Sequence, residues 1–397
     1  MSNSYDAVVI GGGPSGATAA NDLALEGWKV LLLDRAGRIK PCGGAIPPRL
    51  IADFDIPDHL LVAKVRCARM ISPSNQRVDI PIENGFVGMV NRESFDEWLR
   101  TRAQQSGAHR MAGICEQVDA MDHEGFSSVH IATDTAGSLT VRARLVIGAD
   151  GARSRVASQR IPGAQKGKTV FAYHEILRAP RQEEWGERGY DAERCDVYYR
   201  GEFSPDFYGW MFPHGDCLSV GTGSMDKGFS LRSATSRLRG AAGLVGLEVL
   251  RREGAPIPLK PLRRWDDGKN VVLAGDAAGV VAPASGEGIY YAMLGGRLAA
   301  EAGSAFLKTG QARCLSWARQ VFMKEHGRVF FVLGLLQHFW YGTEKRREQF
   351  VKICRDKDVQ QITFDAYMNK RLVRKKPMAH LRILAKDVAH LLGLARA

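Results

Sequence analysis

The chain has 397 residues, of which 45% are hydrophobic and 25% charged, so it can bury a large core in two or three domains. Its formal net charge of +12 favours an anionic partner, which could be nucleic acid, anionic lipid or a phosphorylated substrate. Seven cysteines without a CxxC pair indicate reduced thiols and exclude a disulfide framework or a zinc site. The sequence has neither a signal-peptide pattern nor an apolar run long enough to cross a membrane, so we expect a cytoplasmic protein.

A βαβ unit is predicted at the start of the chain. Residues 5–10 are typical of a buried parallel strand, residues 17–26 of a helix and residues 29–33 of a second strand. The turn between the first strand and the helix reads Gly11-x-Gly13-x-x-Gly16. Gly11 permits the tight turn, Gly13 lets a pyrophosphate approach the backbone, and Gly16 lets the helix pack on the strand. The unit therefore predicts a dinucleotide site at the N-terminus of a helix.

Asp34 narrows the choice of nucleotide. It ends the second strand, eighteen residues after Gly16. Its carboxylate can accept both ribose hydroxyls of an adenosine and would repel a 2′-phosphate, so the site fits FAD or NAD and not NADP. The motif does not separate FAD from NAD. The cofactor contacts predicted in this unit are Gly11, Gly13, Pro14, Ser15, Gly16, Asp34 and Arg35.

The next stretch, GRIKPCGGAIPPR at residues 37–49, has three prolines and three glycines and predicts irregular structure. A helix is expected at 93–108, and strand-like runs dominate residues 169–223. From about residue 311 the pattern is helical and basic. The other predicted strands are 129–132, 139–142, 145–147, 195–199, 208–212 and 270–274, with a further helix opening at Gly286.

Two of these strands end in an acidic turn. Arg144–Gly151 reads RLVIGADG, and Asn270–Gly279 reads NVVLAGDAAG. They resemble the DG and GD motifs of the FAD-dependent hydroxylase superfamily, whose type member is p-hydroxybenzoate hydroxylase. The resemblance implies FAD, with Asp276 on its ribityl chain and its isoalloxazine over a helix N-terminus, which favours the negative charge of a reduced flavin. The further cofactor contacts it implies are Arg92, Asp150, Gly151, Gly275, Asp276, Gly286 and Gly288.

Two further segments resemble one branch of that superfamily, the geranylgeranyl reductases. Pro41–Pro47 reads PCGGAIP, like their PCGG loop, and Tyr208–Pro213 reads YGWMFP before Gly221-Thr-Gly223, like their YxWxFP…GxG motif. The resemblance implies a site beside the flavin, with catalytic positions Cys42, Gly43 and Gly44. The substrate contacts it implies are Tyr208, Trp210, Phe212 and Pro213.

Both segments also have plainer interpretations. Cys42 is equally typical of a small, buried and inert residue. Alternation along a strand puts Tyr208, Trp210 and Phe212 on one face, and by pattern alone such a stripe is typical of a core strand. The resemblance favours a lining for a long apolar isoprenoid chain instead.

The resemblance implies an α/β fold: a Rossmann-like FAD-binding domain of the glutathione-reductase and hydroxylase type, an inserted mixed β-sheet substrate domain and a C-terminal helical region. We expect the FAD-binding domain at 1–72, 91–168 and 263–310. The substrate domain is expected at 73–90 and 169–262, and the helical region at 311–397. No metal site is predicted.

The function implied is reduction of a geranylgeranyl group to phytyl, on (bacterio)chlorophyll or on geranylgeranyl diphosphate, in (bacterio)chlorophyll biosynthesis. NADPH would be the electron donor and would bind transiently, since the sequence has no second glycine-rich nucleotide fold. An archaeal-type reductase of ether lipids shares the motifs. A flavin monooxygenase that hydroxylates an aromatic ring is a further alternative, but it gives no reason for YxWxFP. The non-enzymatic alternative is a flavin-binding scaffold without activity.

The C-terminal region offers two interpretations. Residues 378–394 predict an amphipathic helix, which follows a basic cluster of Lys370, Arg371, Arg374, Lys375 and Lys376. It could lie on the anionic surface of the photosynthetic membrane as a peripheral anchor. It could equally dock on the protein with a solvated basic face. Nothing resembles a nucleic-acid motif, so no nucleic-acid partner is expected.

Overall fold

The computed structural model describes residues 4–35, 40–83, 85–133, 137–164, 167, 169–368 and 370. Within these ranges the chain forms two seven-stranded sheets, a three-stranded sheet and ten α-helices. The predicted α/β class is confirmed: a Rossmann-like sheet, a second mixed sheet and a helical C-terminal region. The predicted domain limits stay predictions.

The first sheet carries the dinucleotide-binding fold. Its two leading strands are short, apolar and buried, as a parallel strand covered on both faces must be. In spatial order its strands are β8 (His109–Ala112), β2 (Val30–Asp34), β1 (Ser4–Ile10), β11 (Gly137–Gly148), β10 (Ser127–Thr133) and β9 (Ile114–Val118), with β17 (Val271–Leu273) also paired to β11. The predicted strands 139–142 and 145–147 are parts of the single strand β11.

The parallel register gathers the sequence motifs at one edge. Ile10 of β1 lies opposite Gly148 of β11 and Leu33 of β2, and Gly148 lies opposite Leu273 of β17. The glycine turn, Asp34 and both acidic turns follow directly after these strand ends. Ligands of open α/β sheets bind outside the carboxyl ends of the strands, so this edge is the expected cofactor side.

The first helix, α1 (Pro14–Leu25), begins three residues before the predicted start. Gly13 already acts as its N-cap, and the fixed φ of proline suits the first helical position. Proline also opens a helix at Pro48, so the prediction of irregular structure for residues 37–49 is wrong at the end of that stretch. Ala45–Ile46 form the short strand β3, and Pro48 opens helix α2 (Pro48–Asp53). Residues 36–39 lie outside the described ranges.

The second sheet is mixed, because β13 and β5 pair in parallel and its other neighbours are antiparallel. Its order is β16 (Val249–Pro258), β12 (Thr169–Arg178), β15 (Cys217–Ser224), β14 (Gly209–His214), β13 (Arg194–Tyr198), β5 (Cys67–Ile71) and β6 (Arg77–Pro81). The three-stranded sheet places β7 (Val87–Val90) between β3 and β4 (Leu61–Val65).

The remaining helices cover the sheets and form the C-terminal region. They are α3 (Arg92–Gln105), α4 (Arg155–Arg160), α5 (Trp185–Arg188), α6 (Leu231–Ala241), α7 (Ile289–Thr309), α8 (Trp317–Trp340), α9 (Glu344–Ile353) and α10 (Lys357–Met368). In the described ranges none of the helices has the length and apolarity needed to cross a membrane. The amphipathic helix predicted at 378–394 lies outside the described residues.

Helices α1 and α7 cross in close contact and join the two ends of the dinucleotide-binding fold. A Cβ at Gly296 of α7 would lie 2.1 Å from the backbone oxygen of Ser15. Any side chain there would force the helices apart. The crossing brings the loop before α7 to the carboxyl edge of the first sheet, beside the glycine turn.

Candidate functional site

The glycine turn between β1 and α1 has a specific role for each glycine. Gly11 has a φ of +107°, and a Cβ there would lie 2.4 Å from the backbone oxygen of Ala149 in the neighbouring turn. A Cβ at Gly16 would lie 1.8 Å from the oxygen of Gly11. At Gly13 no atom lies within 4 Å of the Cβ position. The first two glycines therefore serve the fold, and Gly13 leaves space in front of the N-terminus of α1.

Ser15 provides a test of whether a cofactor fits here. Its Oγ is buried and has no hydrogen-bond partner among the described residues. A Cβ at Gly275, in the late acidic turn, would lie 2.9 Å from this oxygen, so the two motifs meet at Ser15. A buried hydroxyl without a partner is unfavourable, and native structures usually supply one. The diphosphate of a dinucleotide at this helix N-terminus would provide it, so these residues fit FAD.

Asp34 lies at the carboxyl end of β2, and Arg100 of α3 contacts it. Arg100 Nη1 donates to Asp34 Oδ2 at 3.1 Å and to the backbone oxygen of Gly12 at 3.2 Å. Arg35, the next residue, is exposed. Sequence reasoning missed Arg100, although it falls eight residues after Arg92, on the same face of a predicted helix.

Arg92 opens α3 and is buried. It donates from Nε and Nη2 to the two carboxylate oxygens of Asp96, at 2.8 and 2.7 Å. Burial alone would lower the pKa of the Arg92 guanidinium, but the Asp96 carboxylate reverses this and raises it. Arg92 therefore stays charged. The Cys42 thiol is within hydrogen-bonding reach of it, and Cys42 also accepts from the backbone N–H of Gly44 at 3.4 Å.

The two acidic turns have different surroundings. Asp276 lies in a short 3₁₀ turn after β17, and Lys40 donates to its carboxylate at 2.5 Å. Asp150 instead accepts from Ser154 Oγ and from backbone N–H groups at the start of α4. Desolvation raises the pKa of Asp150 against these hydrogen bonds. The structure thus brings Asp276 to the shared cleft, whereas the carboxylate of Asp150 caps a helix.

Further residues lie next to Asp150 and Asp276, the acids of the two turns. Gly151 follows Asp150 with a φ of +86°. Lys40 was missed by sequence reasoning, although it lies only two residues before Cys42. The turn that holds Asp150 packs against Gly11, so Asp150 and Gly151 lie close to the glycine turn without lining the cleft.

The loop before α7 is tied from two sides. Gly288 is the N-cap of α7, and Gly286 has a φ of +66°. From the second sheet, the Tyr208 hydroxyl donates to the backbone oxygen of Ser285 at 2.5 Å. From the C-terminal region, Lys370 forms an ion pair with Glu287 at 2.6 Å. Lys370 was expected within an exposed or lipid-facing basic cluster. That expectation is wrong for this residue, because its side chain is buried against Glu287.

The aromatic residues of the YxWxFP segment form a continuous row. The ring centroids of Tyr208 and Trp210 lie 6.0 Å apart, and those of Trp210 and Phe212 lie 6.3 Å apart. Phe212 packs on the PCGG loop, since a Cβ at Gly43 would lie 3.2 Å from its ring. Pro213 continues β14 opposite Leu218. The row therefore runs along β14 towards Cys42 and Gly43, although only Trp210 of these four residues lines the cleft.

His214 packs behind the second glycine of the PCGG loop. A Cβ at Gly44 would lie 2.6 Å from its Nε2, and Gly44 has a φ of +68°. Burial lowers the pKa of His214 to about 4, so the ring is neutral at physiological pH. Only glycine fits this position, because a side chain would meet both the imidazole and the oxygen of Val90.

An open cleft lies where the two sheets meet, with an empty volume of about 690 Å³ including the solvent at its mouth. One wall comes from the dinucleotide-binding side and holds the polar groups Lys40, Cys42, Arg92 and Asp276. Its other residues are Pro14, Pro41, Gly43, Val281, Gly286, Gly288, Ile289 and Ala292. The other wall comes from the second sheet. Its residues are Ala172, His174, Trp210, Ala255, Pro256 and Ile257. A mostly apolar wall facing one that carries several charged groups suits an apolar substrate on one side and a cofactor on the other.

Comparison with known proteins gives a consistent result. The profile described as pyridine nucleotide-disulphide oxidoreductase matches residues 5–187. A digeranylgeranylglycerophospholipid reductase 1 from Methanopyrus kandleri is 30% identical over 321 residues, which are 75% of this chain and 80% of that protein. A solved structure described as geranylgeranyl bacteriochlorophyll reductase-like, from Thermoplasma acidophilum, has the same fold. Its TM-score is 0.81 at 20% identity, covering 95% of this chain and 99% of that one.

Another relative is more similar to this chain. A geranylgeranyl diphosphate reductase from Rhodobacter capsulatus is 57% identical over 392 residues, which are 98% of this chain and 98% of that protein. The match includes the glycine turn, both acidic turns and the segments around Cys42 and Trp210, since it leaves out almost no part of the chain. The chain therefore belongs to the geranylgeranyl reductase family of flavin-dependent oxidoreductases.

Proposed function

We propose that the protein is an FAD-dependent reductase that saturates isolated double bonds of a geranylgeranyl group to give phytyl. The single observation that carries the proposal is the cleft between the sheets, where groups suited to a flavin face an apolar wall. The Rhodobacter capsulatus relative, 57% identical along nearly the whole chain, supports the same substrate. Its identity is well above the 30% of the archaeal phospholipid reductase, which favours the phytyl-forming reaction over ether-lipid reduction.

Several residues would hold the cofactor. The diphosphate would lie at Gly13 and Ser15, the adenosine ribose at Asp34, and the ribityl chain at Asp276. Arg92 would contact the cofactor from the start of α3, and the loop at Gly286 and Gly288 would support its ring. When bound and reduced, FAD supplies a hydride equivalent for each double bond.

The PCGG loop and the aromatic row would form the reaction chamber. Gly43 and Gly44 let the backbone lie close to a flat ring, and Cys42 would face the reacting double bond beside Arg92. Tyr208, Trp210, Phe212 and Pro213 would guide the isoprenoid chain towards this point, with Trp210 in direct contact. With substrate bound, the chamber would have to exclude water, because an isolated alkene has no carbonyl to accept charge.

The substrate carrier, the electron donor and the place of action complete the proposal. The isoprenoid would be carried on (bacterio)chlorophyll or on diphosphate, and the net charge of +12 is compatible with the diphosphate. We propose NADPH as the donor and the cytoplasm as the location. Peripheral contact with the photosynthetic membrane would come from the region after residue 370.

The test is direct turnover. Purified protein with FAD and a chemical reductant is incubated separately with geranylgeranyl bacteriochlorophyll and with geranylgeranyl diphosphate. Mass spectrometry should show products heavier by two hydrogens at a time, up to three additions. Replacement of the reductant by NADPH or NADH identifies the donor. A fully flavinated enzyme that leaves both isoprenoids unchanged, while it reduces an archaeal ether lipid or hydroxylates an aromatic ring, would overturn the proposal.

A further inference from the structure

His174 occupies a distinct position in the apolar wall of the cleft. It lies on β12, next to the edge strand of the second sheet, and its side chain is buried. Its ring centroid is 6.3 Å from that of Trp210. The other cleft residues contributed by the second sheet are Ala172, Trp210, Ala255, Pro256 and Ile257. Among the described residues of this wall, His174 is therefore the one with a titratable side chain.

Both ring nitrogens of His174 lie within a hydrogen-bond network. Nε2 is 3.1 Å from Glu253 Oε2, and Nδ1 is 2.9 Å from Ser219 Oγ. Ser219 Oγ also accepts from Trp210 Nε1 at 3.1 Å. Burial would raise the pKa of Glu253, but its contacts with His174 and Arg251 outweigh this and lower it. An ionised Glu253 accepts a hydrogen bond from Nε2 of His174.

The network leads from the cleft to the protein surface. Glu253 lies on β16, the edge strand of the second sheet. Its side chain is 12% exposed, and that of its ion-pair partner Arg251 is 41% exposed. A chain of hydrogen bonds thus connects solvent at the sheet edge with the wall of the cleft. It runs from Glu253 through His174 and Ser219 to Trp210. Such a connection can replace a proton after each reaction while the substrate remains enclosed.

The reaction under "Proposed function" needs such a proton source, and this inference rests on that function. Saturating one double bond breaks a π bond and forms two C–H bonds. One carbon takes a hydride from the reduced flavin, and the other must take a proton in the same step, because an isolated alkene cannot stabilise either charge. The balance is one hydride and one proton for each double bond.

We propose that His174 is the proton donor of this reaction and that Glu253 supplies it with protons from solvent. The imidazolium gives up its proton to the alkene carbon on the Trp210 side of the cleft and becomes neutral imidazole. The Nδ1 hydrogen bond to Ser219 is exchanged for contact with the substrate, and the Nε2 hydrogen bond to Glu253 is kept. Because Nε2 keeps its proton, the next proton must be taken up at Nδ1. A turn of the neutral ring towards Glu253 supplies it before the next double bond is reduced.

The other charged groups near His174 have partners of their own. On β16 these groups are Glu253 and Arg251, and on β14 the buried His214 is held neutral, because burial lowers its pKa to about 4. Across the cleft, Lys40 is paired with Asp276 and Arg92 with Asp96. Among the described residues of that wall, Cys42 is the remaining proton-bearing group, so a Cys42→Ser variant separates its contribution from that of His174.

The test measures the oxidation of pre-reduced holoenzyme by geranylgeranyl diphosphate in a stopped-flow instrument without oxygen. We expect His174→Gln to slow the rate at saturating substrate by about 100-fold or more, the range for a lost general acid. FAD content, substrate affinity and reoxidation by oxygen should stay at wild-type levels. The wild-type rate should fall as the pH rises, and the variant should lack this dependence. Glu253→Gln should slow the same step to a smaller extent.

The matched control is His130→Gln. His130 also lies between a carboxylate and a hydroxyl, 2.7 Å from Asp119 and 3.1 Å from Thr140, but on the surface of the first sheet. Its replacement should leave the rate unchanged. If His174→Gln weakens substrate affinity alone and keeps the saturated rate and its pH dependence, His174 only positions Trp210 and the inference is wrong.

A second measurement does not depend on variants at His174. In ¹⁵N-histidine-labelled wild-type holoenzyme, the His174 resonance should show a protonated Nε2, and Glu253→Gln should shift it. An unshifted resonance contradicts the route through Glu253. If wild-type enzyme is not oxidised by either isoprenoid substrate, the proposed function fails first. If wild-type and His174→Gln react at the same rate, only the inference fails.

Discussion

Lys370 and Glu287 form an ion pair of 2.6 Å in which both side chains are almost fully buried. The Lys370 ammonium also lies over the rings of Tyr290 and Tyr291, 5.4 and 5.2 Å from their centroids. Glu287 stands between the two glycines of the loop that leads into α7. The pair thus fastens the C-terminal region to the loop proposed to support the flavin ring.

Loss of Lys370 should destabilise the protein strongly. Lys370→Met leaves the Glu287 carboxylate buried without its cation, which typically costs about 3–5 kcal/mol. We expect a lower free energy of unfolding in urea and weaker FAD binding. Lys308→Met is the matched control, because Lys308 pairs with Glu26 at the surface and such pairs contribute about 1 kcal/mol or less. Equal effects of the two variants would contradict the role given to the buried pair.

Valine substitutions at two glycines of the first turn should have different effects. The Cβ of Gly13→Val meets no atom within 4 Å, so the variant should fold and yet lose FAD, because the valine would occupy the proposed diphosphate position. Gly16→Val would bring a side chain to 1.8 Å from the oxygen of Gly11 and should unfold the protein. Flavin absorbance and circular dichroism of the purified variants distinguish the two effects. A yellow Gly13→Val protein would argue against the cofactor site.

Trp210 allows a test of the aromatic row. Trp210→Phe keeps an aromatic ring in the wall but removes the hydrogen bond to Ser219, so we expect bound FAD, a stable fold and a KM raised several-fold. Trp210→Ala should abolish most turnover with FAD still bound, although truncating a buried tryptophan commonly costs about 3–5 kcal/mol. Steady-state kinetics and flavin content of the two variants measure turnover and FAD binding separately. An unfolded Trp210→Ala protein would support the core-strand interpretation.

Stability should fall as the pH is lowered from about 6.5 to about 4. Burial lowers the pKa of both His214 and His326 to about 4, from an ordinary value of 6.5. Above 6.5 both rings are neutral in the folded and unfolded states, so they add no pH dependence. Below pH 6.5 these histidines bind protons in the unfolded chain but stay neutral in the folded protein. Each histidine therefore lowers the free energy of unfolding by up to about 3 kcal/mol.

Urea unfolding at pH 7.5, 6.0 and 5.0 measures this effect. His214→Gln should be less stable than wild type at pH 7.5, because its contacts are lost, but its stability should fall less steeply towards pH 5.0. The same comparison applies to His326→Gln. A variant with the full wild-type pH dependence would show that the replaced histidine is not the group responsible.

The sequence predicted the elements that depend on local pattern. The glycine turn, Asp34 and Asp276 each follow an apolar strand, and the parallel register then brings them to one edge without further information. The aromatic row followed from alternation along a strand. The family was recognised from short segments because their residues are contiguous.

Residues whose roles arise from distant partners could not be predicted in this way. His174 and Glu253 meet because β12 and β16 are neighbours, and nothing near either residue indicates this pairing. Lys370 stands in a basic run that looks like a surface feature, and only the fold shows its contact with Glu287. The acidic turn at Asp150 looked equivalent to that at Asp276, but the hydroxyl of Ser154 and the start of α4 occupy its carboxylate.

The close crossing of α1 and α7 has a consequence for biosynthesis. Ser15 meets Gly296 only after most of the chain has left the ribosome, so the buried face of α1 lacks its partner during most of translation. Contacts between such distant segments slow folding and leave apolar surface open to aggregation. Newly made protein should therefore depend on chaperones until α7 emerges, and the cofactor can be captured only at the end of synthesis.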